Sequence, residues 1–272
     1  MSLPRTRLAR ACALLGLLGC LLASSSPAAG VPPASFYYFN PDSPQSNLGL
    51  LKATMDGFLA EAGFPLSFQP FAHLTDFVQQ LAAEPPAFLL LPSWYLERHG
   101  QDLGVRPLLA PVRQGSTSYR KVLVVARGTG PGLDGLRHRT LAMTTFGPKG
   151  RELLSEILFP APEEPKPAFN IVVVPKDVDA LFALALQHVD AALVVPENME
   201  ALAKVNPRLV QRVETVRATK PIPLPVLCYR PGVVSPERLA QLTRLFLAEE
   251  TRPVRMPIME MLGIDGWQEI PH

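Results

Sequence analysis

Asn170-Ile171-Val172-Val173-Val174 and Ala191-Ala192-Leu193-Val194-Val195 bracket a segment in which Val178, Leu181, Phe182 and Ala185 recur at three- and four-residue spacing. The two flanking runs are short, apolar and valine-rich, and read as strands. The spacing between them marks one face of a helix. Residues 170–195 therefore read as strand, helix, strand.

The same alternation extends outward in both directions. Phe36-Tyr37-Tyr38-Phe39 is a strand ended by the turn Asn40-Pro41-Asp42. Leu48, Leu51, Met55, Phe58 and Leu59 predict a helix, Leu66 to Phe71 a strand, and Leu74, Phe77, Val78 and Leu81 a second helix. Ala87 to Leu91 is a strand closed by Pro92, followed by a short helix through Tyr95 to His99 and an extended Val105 to Val112. Tyr119 to Ala126 is β-rich, Gly128 to Gly135 a glycine-rich turn, Thr140 to Met143 a strand and Glu152 to Leu158 a helix. Beyond Val213 the chain runs extended past Pro221, Pro223 and Pro225 to Val226-Leu227-Cys228-Tyr229. A final helix carries Leu239, Leu242, Leu245 and Phe246.

Repeated β-α-β order implies an α/β protein with mainly parallel sheets flanked by helices. Two such sets, joined by extended segments near 112–121 and 214–223, predict two lobes with two crossover segments. The first lobe takes residues 31–118 and 222–272, and the second takes 119–221. Ligands of such folds bind at the carboxyl ends of strands, in the crevice between units.

The first thirty residues have a different texture. Arg5, Arg7 and Arg10 precede an apolar run from Ala11 to Ala23, which Ser24, Ser25, Ser26 and Pro27 break. A basic start, a short apolar core and a small-residue exit describe a secretory signal peptide over 1–30. The run is too short for a membrane anchor, which needs about 20 residues. Cleavage is expected near Ala28 to Gly30. Leu17-Leu18-Gly19-Cys20 offers a competing lipoprotein site, although Leu18 is bulky for its position. The expected location is periplasmic or otherwise extracytoplasmic.

Composition excludes several function classes. Cys12 and Cys20 lie in the signal, so Cys228 is left alone and neither a disulfide nor a cysteine metal site can form. A net charge of +2, with acids and bases interspersed, gives no concentrated basic surface for nucleic acid. The 30 prolines are about twice the usual ~5% share and fall between apolar segments, so they read as stiff loops. His73, His99, His138, His188 and His272 form no metal-ligand spacing. Gly128, Gly130, Gly132 and Gly135 miss the dinucleotide fingerprint, because Leu133 stands where its third glycine belongs. No phosphate loop or nucleophile elbow occurs, so no cofactor, metal or catalytic residue is predicted.

Four further segments carry a family resemblance. They are Ser118-Tyr119-Arg120-Lys121-Val122-Leu123-Val124-Val125, Val178 to Leu184 followed by Val189-Asp190-Ala191-Ala192, Pro221-Ile222-Pro223, and Leu262-Gly263-Ile264-Asp265-Gly266-Trp267. In this order the chain resembles the phosphate/phosphonate-binding periplasmic proteins of ABC transporters, of the type 2 periplasmic-binding-protein fold. The resemblance implies a non-enzymatic protein that captures a small oxyanion between its lobes, a tyrosine at Tyr119 reaching the cleft, and a turn that grips phosphoryl oxygens at Thr144-Thr145-Phe146-Gly147-Pro148-Lys149-Gly150. The turn departs from the family's Ser/Thr/Gly-rich pattern at Phe146, Pro148 and Lys149. Its partners would be an ABC permease or, if the module senses rather than transports, a membrane receptor, with the protein itself monomeric.

Residue chemistry points to the same turn. A strand running into a helix presents free N–H groups and a positive dipole end, so Gly147 with Thr144 and Thr145 can hold an anion, and Lys149 adds charge. Thr145 could equally serve as an ordinary cap. Ser93, Trp94 and Tyr95 follow a first-lobe strand and would face the crevice from the other side, as would Asn40, Asp42 and Ser43. Glu197 and Asn198 take the matching position after Val195, Lys176 is a lesser candidate, and Asp190 reads as a turn residue. The intact mass of the exported protein should correspond to a chain starting near Ala28 to Gly30. A diacylglycerol adduct on Cys20 would overturn that assignment.

Overall fold

The computed structural model describes residues 34–45, 47–64, 66–128, 133–136, 138–159 and 169–270. The predicted signal peptide, with Cys12 and Cys20, lies outside the described residues, as does the centre of the glycine-rich turn.

The first half opens with β1 (Ala34–Phe39), α1 (Leu48–Glu61), β2 (Leu66–Phe71), α2 (Leu74–Ala83), β3 (Phe88–Leu91), α3 (Ser93–Leu103) and β4 (Arg106–Val112). The middle runs through β5 (Ser118–Tyr119), β6 (Val122–Ala126), β7 (Thr140–Met143), α4 (Gly150–Leu158), β8 (Asn170–Val173), α5 (Asp177–Ala185), β9 (Ala191–Val194), α6 (Pro196–Val205), α7 (Pro207–Val210) and β10 (Val213–Ala218). The chain finishes with β11 (Ile222–Pro223), β12 (Val226–Tyr229), α8 (Pro236–Leu247), α9 (Arg252–Leu262) and β13 (Gly266–Glu269).

These strands form two sheets. One has the order β13-β4-β12-β3-β1-β2 and the other β10-β6-β9-β7-β8. The first therefore draws on both ends of the chain and the second on its middle. Between them β5 and β11 pair as a short antiparallel ribbon, Tyr119 against Ile222 and Ser118 against Pro223. Within the β-α-β units the strands are parallel, as in β1 with β2 and β3 and in β7 with β8 and β9. The strands that arrive through the passages between sheets run antiparallel to their neighbours: β6 against β9, and β12 against β3 and β4. Both sheets are therefore mixed. The physical reason is that only a helical crossover imposes parallel pairing.

Alternation along the strands assigns three cores. Phe36 and Tyr38 face one way, into a cluster with α1, α8 and α9, while Tyr37 and Phe39 face the other. Val122 and Val124 pack under α5 and α6, while Leu123 and Val125 turn to the opposite side. The remaining cluster runs from one sheet to the other and contains Trp94 and Tyr95 of the first together with Phe146 and Leu154 of the second. Trp94 and Phe146 meet edge to face at 6.5 Å. Three helices exceed the sequence reading: α6, the single-turn α7 and α9. Pro196 stands at the first position of α6, where its missing N–H is harmless. α9 contains Pro253 near its start and Pro257 inside, which hide its period. Among the described residues no helix is long and apolar enough to cross a membrane.

Phe36 is fully buried, edge to face with Phe68 at 5.2 Å and tilted against Phe88 at 6.3 Å. Phe36→Ala should lower unfolding free energy by about 3–5 kcal/mol in urea denaturation. A loss under about 1 kcal/mol would show that the site collapses around the deletion.

Candidate functional site

Three elements bring charge to the junction of the two sheets. The loop after β1 carries Asp42, the first turn of α5 carries Asp177, and Lys121 stands just before β6. All three side chains are withdrawn from solvent, Lys121 and Asp177 fully and Asp42 to 5% exposure. Lys121 Nζ lies 2.7 Å from Asp42 Oδ1, 2.7 Å from Thr144 Oγ1 and 3.2 Å from Asp177 Oδ1. An ammonium has three donors, so these partners use all of them. The Thr144 hydroxyl donates in turn to Asp42 Oδ1. Tyr119 donates its hydroxyl to Asp42 Oδ2 at 2.5 Å. The Asp42 carboxylate thus accepts from three side chains at once.

Asp177 is held on its other oxygen. Val195 N–H donates to Oδ2 at 2.7 Å and Asn198 Nδ2 at 2.9 Å. The two carboxylates share one ammonium, and their acidities separate accordingly. Burial would raise the Asp42 carboxyl, but the Lys121 charge and the bonds from Lys121, Thr144 and Tyr119 bring it below the ordinary carboxylate range. Asp177 goes the other way. Burial lifts it, Lys121 offsets only part of that, and the Asp42 charge lifts it further. Burial alone would lower the Lys121 ammonium, but Asp177 and Asp42 more than reverse this. Burial and the adjacent Asp42 charge push the Tyr119 phenol well up, so it stays a donor. Removing one member of such a buried set typically costs about 3–5 kcal/mol, because it leaves a charge unpaired.

The turn after β7 shapes the wall beside this cluster. Phe146 is buried, with Lys121 Nζ 5.6 Å from its ring centre. Thr145 Oγ1 accepts the Gly147 N–H at 2.9 Å, so that amide is spent inside the turn. Lys149 is exposed at the start of α4. Arg98 of α3 donates to the Phe146 carbonyl at 3.1 Å and to the Lys149 carbonyl at 3.4 Å, which ties the turn to the first sheet's helix. The Ser93 hydroxyl donates to the Pro223 carbonyl at 3.1 Å. Tyr95 is buried against Phe77, Trp94 and His99. Lys176 Nζ reaches the Gln45 carbonyl at 3.4 Å, and burial lowers its ammonium.

Of the residues read from sequence, the structure brings Tyr119, Thr144 and Asp42 to one point. Asn198 stands one bond further out through Asp177. Thr145 and Gly147 build the adjacent turn, while Ser93 and Tyr95 line the first sheet's side. Glu197 lies in the first turn of α6 rather than in a loop, with Oε2 buried and without a hydrogen-bond partner. Sequence reasoning gave no role to Lys121 or Asp177. Lys121 begins a strand, whereas ligand groups were sought at strand ends. Because β6 is antiparallel to β9, its beginning lies beside the end of β9, with Val122 opposite Val194. A lone lysine heading the apolar run Val122–Ala126 was the available signal.

Among the described residues no group of His, Cys, Asp and Glu is gathered as a metal site. A groove of about 540 Å³ lies elsewhere, lined by Leu108, Leu239, Leu247, Arg244 and Glu269 among others. It offers no converging donors comparable to those at Asp42. Gly147 has φ +76°, and a Cβ there would come within 2.8 Å of the Trp94 ring. Gly147→Ala should therefore lower the melting temperature, with a cost of about 1–3 kcal/mol from strain and overpacking. An unchanged melting temperature would show that the two sheets do not press together at this turn.

Comparison with known proteins places this geometry. The sequence model of the family described as the periplasmic substrate-binding protein of phosphonate ABC transporters matches residues 37–271. No curated protein matches the sequence. The fold is similar to a binding-protein component of an ABC phosphonate transporter from Pseudomonas aeruginosa, with a TM-score of 0.70, 15% identity, and coverage of 88% of this chain and 82% of that one. It is also similar to PhnD1 of Prochlorococcus marinus in complex with methylphosphonate, with a TM-score of 0.68, 12% identity, and coverage of 88% and 93%. A histidine kinase sensor domain with similarity to periplasmic binding proteins gives a TM-score of 0.52 at 18% identity, covering 86% of this chain and 97% of that one. With its two mixed α/β sheets flanked by helices and a family match spanning residues 37–271, this chain belongs to the periplasmic substrate-binding proteins of phosphonate ABC transporters.

Proposed function

We propose that the mature protein captures a small oxyanion of the phosphate or phosphonate type between its two lobes and presents it to an ABC permease outside the cytoplasm. Binding is reversible and involves no covalent chemistry. One observation carries the ligand class. Tyr119, Lys121 and Thr144 aim three protonated groups at a single oxyanion in the buried junction, and that oxyanion belongs to the facing lobe. Donors fixed in a dry site favour a charged acceptor strongly, since charge-assisted bonds are short and gain from low dielectric.

In this reading Tyr119 and Thr144 contact the ligand, and Lys121 supplies the charge. Thr145 and Gly147 shape the turn, Ser93 and Tyr95 wall the other side, Asn198 supports Asp177, and Glu197 brings a buried carboxylate oxygen to the first turn of α6. Lys149 sits at the rim. Closure takes place about the segments near 112–121 and 214–223, with the lobes dividing at 31–118 and 222–272 against 119–221. Export by the predicted signal peptide puts the protein where such a permease can meet it.

A second reading is a sensory module that docks on a membrane receptor. It is supported by the likeness to a histidine kinase sensor domain. Adjacent permease and ATPase genes would favour transport over sensing.

Thermal-shift screening with phosphate, phosphite, methylphosphonate and sulfate tests the ligand class. At a hundredfold excess over Kd, a true ligand adds about 2.7 kcal/mol of stability. At least one phosphorus oxyanion should raise the melting temperature. Stabilisation by a sugar or an organic cation, with none by these anions, would show the class to be wrong.

A further inference from the structure

The acceptor that gathers Tyr119, Lys121 and Thr144 is a protein carboxylate reaching in from the other sheet. Asp42 sits in the loop after β1, and Lys121 and Thr144 sit at the edge of the second sheet. Its two oxygens are used differently. Oδ1 takes the ammonium and the threonine hydroxyl, and Oδ2 takes the phenol. That is how a bound carboxylate or one edge of a phosphonate would be held. The Asp42 backbone is anchored separately, its N–H donating to Asn40 Oδ1 at 3.1 Å.

We propose that Asp42 is a built-in occupant of the oxyanion site. Its carboxylate takes the donors that a solute would take, closes the lobes on a group of the protein itself, and is displaced when a solute binds. This deepens the function proposed above and rests on it for the identity of the natural ligand.

Charge also bears on the solute. Asp42 and Asp177 face the Lys121 ammonium in the buried cluster, and the partly buried Lys176 ammonium, beside the β1 loop, feels both carboxylates. A singly charged oxyanion that displaces Asp42 leaves the buried charge unchanged. For a doubly charged one, Lys176 is a second nearby cation. The class is therefore a small oxyanion with one or two negative charges, such as a carboxylate or a phosphonate.

The experiment compares wild type with Asp42→Ala in oxyanion-free buffer, using thermal shift, small-angle scattering and calorimetric titration. Removing the carboxylate should lower the melting temperature and expand the particle. Formate or acetate at millimolar concentration should reverse both changes in the variant and do nothing to wild type. Methylphosphonate should bind the variant at least tenfold tighter than wild type, since no internal group competes. Equal methylphosphonate affinity in both proteins would overturn the built-in occupant while leaving oxyanion capture standing. Rescue by formate or acetate, with no phosphorus oxyanion binding either protein, would uphold the occupant and sink the proposed natural ligand. If Asp42→Ala does not fold, wild type alone decides. Scattering from a compact particle in oxyanion-free buffer supports the proposal, and an expanded particle that contracts on adding methylphosphonate overturns it.

Discussion

One ammonium with no exposure to water organises the junction of this protein. Lys121 cannot be buried alone, because desolvating a lysine without compensation costs several kcal/mol. Its three protons therefore dictate where three other elements must stand. The β1 loop has to bring Asp42, the end of β7 has to bring Thr144, and α5 has to begin at Asp177. Because one of these acceptors belongs to the first sheet and two to the second, a local demand for hydrogen bonds becomes a constraint on how the sheets face each other.

The apolar surroundings make that constraint strong. Trp94 and Phe146 meet edge to face, and the Phe146 ring lies near the Lys121 ammonium. Excluding water raises the value of every bond inside and the cost of every unmet one. The departures at Phe146 and Pro148 take on meaning here. Phe146 places a buried apolar ring in this turn, Pro148 is exposed, and Gly147's amide is tied to Thr145. In the function proposed above, recognition rests on the side chains of Tyr119, Lys121 and Thr144.

Much of the fold could be read from periodicity because most elements are pure in pattern. β2 and β7 fall where alternation and turn residues put them, and the 170–195 unit keeps its order. α9 was lost because Pro253 and Pro257 break the visible period, although a proline near a helix start is harmless. Strand direction was the larger blind spot. Hydrophobic runs look alike whichever way they point, so the antiparallel insertion of β6 could not be seen, and with it the placement of Lys121. Tyr119 came from the family resemblance and Thr144 from its place at the end of a strand, and the structure brings both to Asp42. Asp177 was missed, because an acid in a first helical turn already has an ordinary electrostatic explanation.

The pairing of β5 with β11 joins the two passages between sheets into one strip, and Tyr119 lies within it. Lys121 follows two residues later. The cluster therefore sits beside the two passages about which closure is proposed. A door latched beside its hinges is held with little leverage, and a small gap at the latch becomes a wide opening at the free edge. In that closure the exchange of one carboxylate for another at Lys121 would be amplified with distance from the passages.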